Sequence, residues 1–365
     1  MRSVPELRLI TSPAELPPAL AASVNAGERE WIRKLNTHSL SYNGLSYNGL
    51  PFAVTPHFAS LAKPERDDPI RRQFMPDPLE AHPDPFALDD PLGEACYRAA
   101  LRLVHQYRDR ALLLAGGCCA GYCRYCFRRI RMSSPAAFIS AEELEPALTY
   151  LGTHREIGEI LVSGGDPLCA EDGELEELFG KLRQARPGIL IRLCSRVPVT
   201  NPARLGSTAI SLLARYRPLR IVTHINHPRE LAPEARSALG AAAEAGIPVH
   251  VQTVLLRGIN DSAETLALLF RECLNLGLTP YYLFQLDLAP GTAHFRVPLG
   301  EGLAIYRELG RLISGLGLPA YAVDLPGGGG KIHLHEGVIA GEEERPGGRV
   351  YLLRDRAGKL WEYPC

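Results

Sequence analysis

From residue 110 onward, short apolar runs alternate with longer segments whose apolar positions recur every three or four residues. The short runs are 111–116 (ALLLAG), 158–163 (GEILVS), 189–194 (ILIRLC), 219–225 (LRIVTHI), 248–256 (PVHVQTVLL) and 280–286 (PYYLFQL), and they read as strands. The longer segments, near 141–152, 173–185, 203–215, 230–245, 262–277 and 301–316, read as helices. Ser140-Ala-Glu-Glu143 has the form of a capping box opening the first of them. Six strand–helix alternations predict an α/β fold, a parallel sheet with helices outside it. Residues 1–95 are proline-rich and hold no sustained period, so a helical and irregular N-terminal extension is expected there. That stretch contains a duplicated pentapeptide, Ser41–Leu45 and Ser46–Leu50, which reads as a local duplication in a loop. The expected organisation is an extension over 1–95, an α/β unit over 96–300 and a C-terminal segment over 301–365.

The chain has 365 residues, 46% of them hydrophobic, enough for a full core. A net charge of −1 argues against a nucleic-acid partner or a polybasic membrane contact. The N-terminal stretch has no sustained apolar region of the signal-peptide kind, and no run is long enough to span a bilayer. Four of the nine cysteines cluster at 118–126, while Cys96, Cys169, Cys194, Cys273 and Cys365 stand alone. That distribution suits metal ligation and buried thiols in a reducing cytoplasm, the expected location.

The cluster supplies the sharpest chemistry. Cys119, Cys123 and Cys126 have the spacing C-x3-C-x2-C, with Cys118 offering a rival C-x4-C register. Three thiolates on one loop can hold three corners of an iron–sulfur cubane, leaving one iron free to bind a small molecule. A zinc knot needs a fourth ligand, and none stands nearby with knuckle spacing. A second feature is Asp324-Leu-Pro-Gly-Gly-Gly-Gly-Lys331. It lacks the first glycine of a nucleotide-binding P-loop, where Leu325 stands, and the hydroxyl after the lysine, where Ile332 stands. A lysine presented on glycines is alternatively a Schiff-base nucleophile. His224 and His227 could suggest a metal pair, but their spacing is helical and they follow a strand. His333 and His335 read as ordinary loop residues.

C-x3-C-x2-C is the signature of the radical S-adenosylmethionine (SAM) enzymes, and GGCCAGYCRYCFRR resembles their lysine 2,3-aminomutase branch. The likeness runs from about residue 68, where Asp68–Pro76 (DPIRRQFMP) is similar to an N-terminal stretch of that family, to about residue 360. It implies a partial (β/α)6 TIM-like barrel with its chemistry at the C-terminal strand ends. The motifs fall there: the cysteines after strand one, Ser163-Gly164-Gly165-Asp166 after strand two, His224 at the end of strand four, Asp287 after strand six.

By the resemblance, Cys119, Cys123 and Cys126 hold a [4Fe-4S] cluster. Ser163, Gly164, Gly165, Asp166, His224 and Gln252 contact SAM, and Lys331 is the catalytic lysine that carries pyridoxal phosphate (PLP). Tyr107 and Arg110 are implied as PLP contacts. Gln106 stands where better-known members tend to have arginine. Arg128 is implied for the substrate carboxylate, which its planar fork suits. Asp287 and Asp324 are implied for the distal ammonium of lysine, whose desolvation two carboxylates would offset. The implied reaction is L-lysine to β-lysine, with an electron donor such as flavodoxin or ferredoxin and a homo-oligomeric assembly. An arginine 2,3-aminomutase is the nearest enzymatic rival, and the branch that makes β-lysine for elongation factor P shares the chemistry, though its PLP segment is usually less glycine-rich. A plain iron–sulfur electron carrier would account for the cysteines alone. The cysteine-rich zinc segment of better-known free-lysine mutases has no counterpart here, so no structural zinc is expected.

Overall fold

The computed structural model describes residues 7–37, 40–42, 45–47, 49–132 and 137–365. Two short strands, β1 (Leu40–Tyr42) and β2 (Leu45–Tyr47), pair antiparallel within the duplicated pentapeptides, where a loop was expected. The central sheet follows: β3 (Arg98–Ala100), β4 (Leu103–Tyr107), β5 (Arg110–Gly116), β6 (Glu159–Gly164), β7 (Leu190–Cys194), β8 (Leu219–His224), β9 (Val249–Val254), β10 (Thr279–Phe284), β11 (Ala320–Leu325) and β12 (Gly330–His333). Its spatial order is the chain order from β3 to β12. Strands β5 to β11 are mutually parallel, and the pairings β3–β4, β4–β5 and β11–β12 at the two ends are antiparallel. All six strands and all six helices expected from periodicity are present, with boundaries shifted by a few residues.

One parallel strand escaped the periodicity. β11, Ala320-Tyr-Ala-Val-Asp-Leu325, pairs with β10, and its alanines and aspartate dilute the apolar run that marks its neighbours. The glycine–lysine segment is therefore part of the same sheet, seven parallel strands in all, rather than an appendage after six.

Burial alternates along the strands and explains the layering. In β6 and β7 every second side chain is fully buried: Ile160, Val162, Ile191 and Leu193. The same core takes in Leu175, Leu178 and Leu182 of helix Asp172–Ala185 and Leu266 and Phe270 of helix Ala263–Asn275. Each such side chain contributes roughly 1.5–3 kcal/mol of burial. The intervening positions are half-buried and often polar, among them Arg110, Ser163, Arg192, His224 and Gln252. That second face lines the inside of the curled sheet.

Hydrogen bonds bring the two sheet ends together. Tyr97 Oη and Gln106 Nε2 donate to the Gly328 carbonyl at 2.8 and 3.2 Å, and the Lys331 amide donates to Tyr107 Oη at 2.8 Å. Side chains, not a ladder, thus join the β3–β4 end to the hairpin between β11 and β12. A separate core of Ile10, Leu20, Ile32, Phe52, Phe58 and Phe74 organises the N-terminal stretch. At the other end, β13 (Ile339–Arg345), β14 (Gly348–Arg354) and β15 (Leu360–Pro364) form an antiparallel sheet. No helix among the described residues is long and apolar enough to cross a membrane.

Candidate active site

The cysteine loop leaves β5 at Gly116 and is pinned by main-chain bonds to the N-terminal stretch. Tyr122 N donates to Ala53 O and Arg124 N to Gln73 O, both at 2.9 Å. Cys119, Cys123 and Cys126 are half-buried, whereas Cys118 is exposed and its thiol bonds that of Cys169. Leu50, Ala53, Tyr122 and Met132 pack around Cys119 and Cys126. Burial, and then neighbouring charge, pushes the Cys126 thiol up to about 11 and raises the Cys119 thiol well above its ordinary value. Iron would supply the positive charge that makes both thiolates. Among the described residues no three His, Cys, Asp or Glu converge on a single ion. Three soft donors on one loop in an apolar setting fit a cubane, in which each thiolate takes its own iron.

Between the cysteines lies a residue that the sequence did not flag. Arg124 is fully buried, donates to Glu80 at 2.8 and 2.5 Å and also reaches the carbonyls of Leu50 and Pro51. Arg129, equally buried, bonds Glu80 at 2.6 Å, its own loop at Arg124 O and the Gly291 carbonyl. Burial alone would raise the Glu80 carboxyl, but Arg124 and Arg129 outweigh it and hold it at about 2. Glu80 therefore clamps the two arginines, and Arg129 ties the cluster loop to the loop that follows Asp287.

Ser163 and Gly164 close β6. The cluster loop packs directly against both Gly164 and Gly165. A Cβ on Gly164 would lie 2.4 Å from Gly116 O, and one on Gly165 2.2 Å from Cys118 O. Gly165 N and Asp166 N donate to those same two carbonyls. The Asp166 carboxylate is committed to Ser195 Oγ at 2.6 Å and to the amides of Leu168, Arg196 and Val197. Its work is to lock the β6 loop to the segment after β7. His224, at the end of β8, is the register partner of Gln252 in β9, and their side chains bond each other. Burial, then the Arg196 charge, pushes His224 down to about 4, so it is neutral near pH 7.

Lys331 is opposite Asp324 in the β11–β12 register, and its Nζ lies 2.5 Å from Asp324 Oδ2 and 4.0 Å from the centre of the Phe284 ring. The hairpin needs its glycines: Gly327, Gly328 and Gly330 have φ of 67°, 91° and 78°. Trp361 of β15 closes over Gly329, where a Cβ would approach its ring to 2.8 Å. Tyr107 bonds the Lys331 amide, and the Arg110 guanidinium stacks 3.9 Å from the Tyr107 ring centre. Gln106 braces the Gly328 carbonyl.

Asp287 is half-buried in the same region. Burial, then the Asp324 charge, pushes its carboxyl up to about 8, while Lys331 and Arg128 pull it back. Arg128 is paired with Glu94, its Nε 3.4 Å from Glu94 Oε2. Burial would lower Arg128, but Glu94 outweighs it and the guanidinium stays charged. The geometry thus gathers cysteines, His224, Lys331, two aspartates and Arg128 around one end of the sheet. Glu80, Glu94 and Arg196 belong to it too. No local spacing marks them, because each acts on a residue far away in the chain.

A model of the radical SAM superfamily matches residues 113–269, from β5 through helix Ala263–Asn275. The chain is 38% identical over 315 residues to the L-lysine 2,3-aminomutase of Methanococcus maripaludis, covering 86% of this chain and 72% of that one. A Treponema pallidum protein, given the same name provisionally, is 47% identical over 278 residues, 76% of this chain and 78% of its own. The glutamate 2,3-aminomutase of Clostridioides difficile is 33% identical over 308 residues, 84% of this chain and 70% of that one. The chain is a radical SAM enzyme and belongs to the lysine 2,3-aminomutase family, isomerases that work with a [4Fe-4S] cluster, SAM and PLP.

Proposed function

We propose that this chain converts L-lysine to β-lysine by moving the amino group from C2 to C3. The observation that carries the reading is the pair Asp287 and Asp324 beside Lys331. A glutamate side chain would bring a third carboxylate against that pair, whereas the distal ammonium of lysine neutralises it. The proposed ligands are Cys119, Cys123 and Cys126 for the cluster, Ser163, Gly164, Gly165, His224 and Gln252 around SAM, with Asp166 shaping that loop, and Lys331, Tyr107 and Arg110 for PLP. When bound, these groups supply the radical that takes hydrogen from C3 and the π system through which nitrogen crosses.

The chain's own residues do the remaining work. Arg128 would fix the substrate carboxylate bidentately, exchanging its bond to Glu94 for one to the substrate. Asp287 and Asp324 would fix the other end of the substrate, so that C2 and C3 are placed by contacts at both termini. Neutral His224, bonded to Gln252, offers a hydrogen-bonding edge without adding charge. The proposed setting is the cytoplasm, with a low-potential donor such as flavodoxin or ferredoxin and a homo-oligomeric assembly.

Anaerobically reconstituted, reduced protein given SAM, PLP and isotopically labelled lysine should yield β-lysine by NMR. The visible absorbance of bound PLP should be lost in Lys331→Ala, and turnover in Cys123→Ala. Unchanged lysine alongside conversion of arginine or glutamate overturns the assignment.

A further inference from the structure

Arg196 stands just past the C-terminal end of β7, and its Nη1 lies 2.8 Å from Cys123 Sγ. We infer that Arg196, acting through this hydrogen bond, makes the cluster easier to reduce, an inference that rests on Cys119, Cys123 and Cys126 being its ligands. The guanidinium is only slightly exposed, and both of its terminal nitrogens are engaged. Nη2 bonds Gln73 Oε1 at 2.5 Å and Glu230 Oε2 at 2.8 Å. Its face lies 4.9 Å from the Phe58 ring centre and 5.5 Å from that of Tyr125. Its own amide is fixed by Asp166 at 2.6 Å.

The supports are themselves fixed. Glu230 is fully buried, and its other oxygen accepts from Asn226 N, His227 N and Gln73 Nε2. Gln73 comes from the N-terminal stretch, and its carbonyl also accepts the Arg124 amide inside the cysteine loop. The donor is thus aimed at one sulfur by residues from three separate regions of the chain.

A hydrogen bond to a cluster sulfur draws density from the thiolate and favours the added electron. Glu230 offsets the net charge, so the effect is delivered locally, along the N–H to sulfur contact. A guanidinium can serve Sγ, Gln73 and Glu230 together from one plane, which an ammonium on a flexible stem does not reproduce. A residue that merely braced the loop would alter cluster content or stability and leave the reduction equilibrium alone.

The test is an EPR-monitored redox titration of anaerobically reconstituted protein without SAM or amino acid, with iron and sulfide assayed in parallel. Arg196→Met should shift the reduced-to-oxidised ratio at a given potential at least tenfold toward oxidised, about 59 mV for one electron. Arg196→Lys should shift it in the same direction by less. Should the methionine variant take up no cluster, the lysine variant decides. Loaded variants with the wild-type potential, or one shifted the other way, overturn the inference and leave the cluster assignment standing. A wild type that holds no cluster overturns both.

Discussion

Lys331 and Asp324 face each other across the antiparallel pair β11 and β12, with Nζ 2.5 Å from Oδ2. The lysine proposed to carry PLP is therefore ion-paired with a carboxylate proposed to receive the substrate's ammonium. Each must release the other for the reaction to begin. Asp324→Asn should keep the absorbance of bound PLP, because Lys331 keeps its hairpin. Turnover of lysine should fall on the order of 100-fold, since losing one partner of a buried charge pair costs about 3 kcal/mol or more. Spectra and labelled-lysine kinetics on the same preparation separate the two effects.

Asp287 adds a pH signature. With burial and Asp324 pushing its carboxyl up to about 8, it is mostly protonated at pH 7. An arriving ammonium favours the charged form, so lysine binding should release close to one proton. Calorimetry in buffers of different ionisation enthalpy reads that number, and no proton release would count against Asp287 as a contact. The raised value also makes Asp287 a group that favours the fold at low pH, and this contribution is lost as pH rises through about 8.

Glu80 has the opposite sign. Its carboxyl is held at about 2 against an ordinary 4.5, so its contribution to stability is complete above the usual carboxylate range and fades as pH falls toward 2. Glu80→Gln leaves Arg124 and Arg129 buried with weakened partners, and should cost about 3–5 kcal/mol. Iron content should fall with stability, because Arg124 sits inside the cysteine loop. Thermal unfolding across pH, with an iron assay, checks both.

Two glycine substitutions should diverge. Gly165→Ala puts a Cβ 2.2 Å from Cys118 O, backbone that cannot move without moving the neighbouring ligand Cys119. Cluster content should drop, with about 1–3 kcal/mol of destabilisation. Gly240→Ala, inside helix Pro233–Glu244 with nothing within 4 Å of the added carbon, should stabilise by about 1 kcal/mol. Iron-to-protein ratios and unfolding curves of the two variants give the comparison.

The chain alone determined what is local. Periodicity specified six strands and six helices, Ser140 and Glu143 form the capping box that their spacing announces, and the motifs sit at strand ends as parallel topology requires. Spacing also singled out three cysteines and a lysine among glycines. Folding decided which of these meet. Tyr107 reaches Lys331 across 224 positions, and Gln73 is joined to Arg196 across 123. The close packing of the cysteine loop on Gly164 and Gly165 is set by the fold, and β11 joined the sheet through a partner strand instead of its own apolar run. Side-chain period and motif spacing are properties of neighbouring residues. Contacts such as Glu80 with Arg124 and Arg129 arise only when a curled sheet brings distant loops together, and no pattern of adjacent residues encodes that closure.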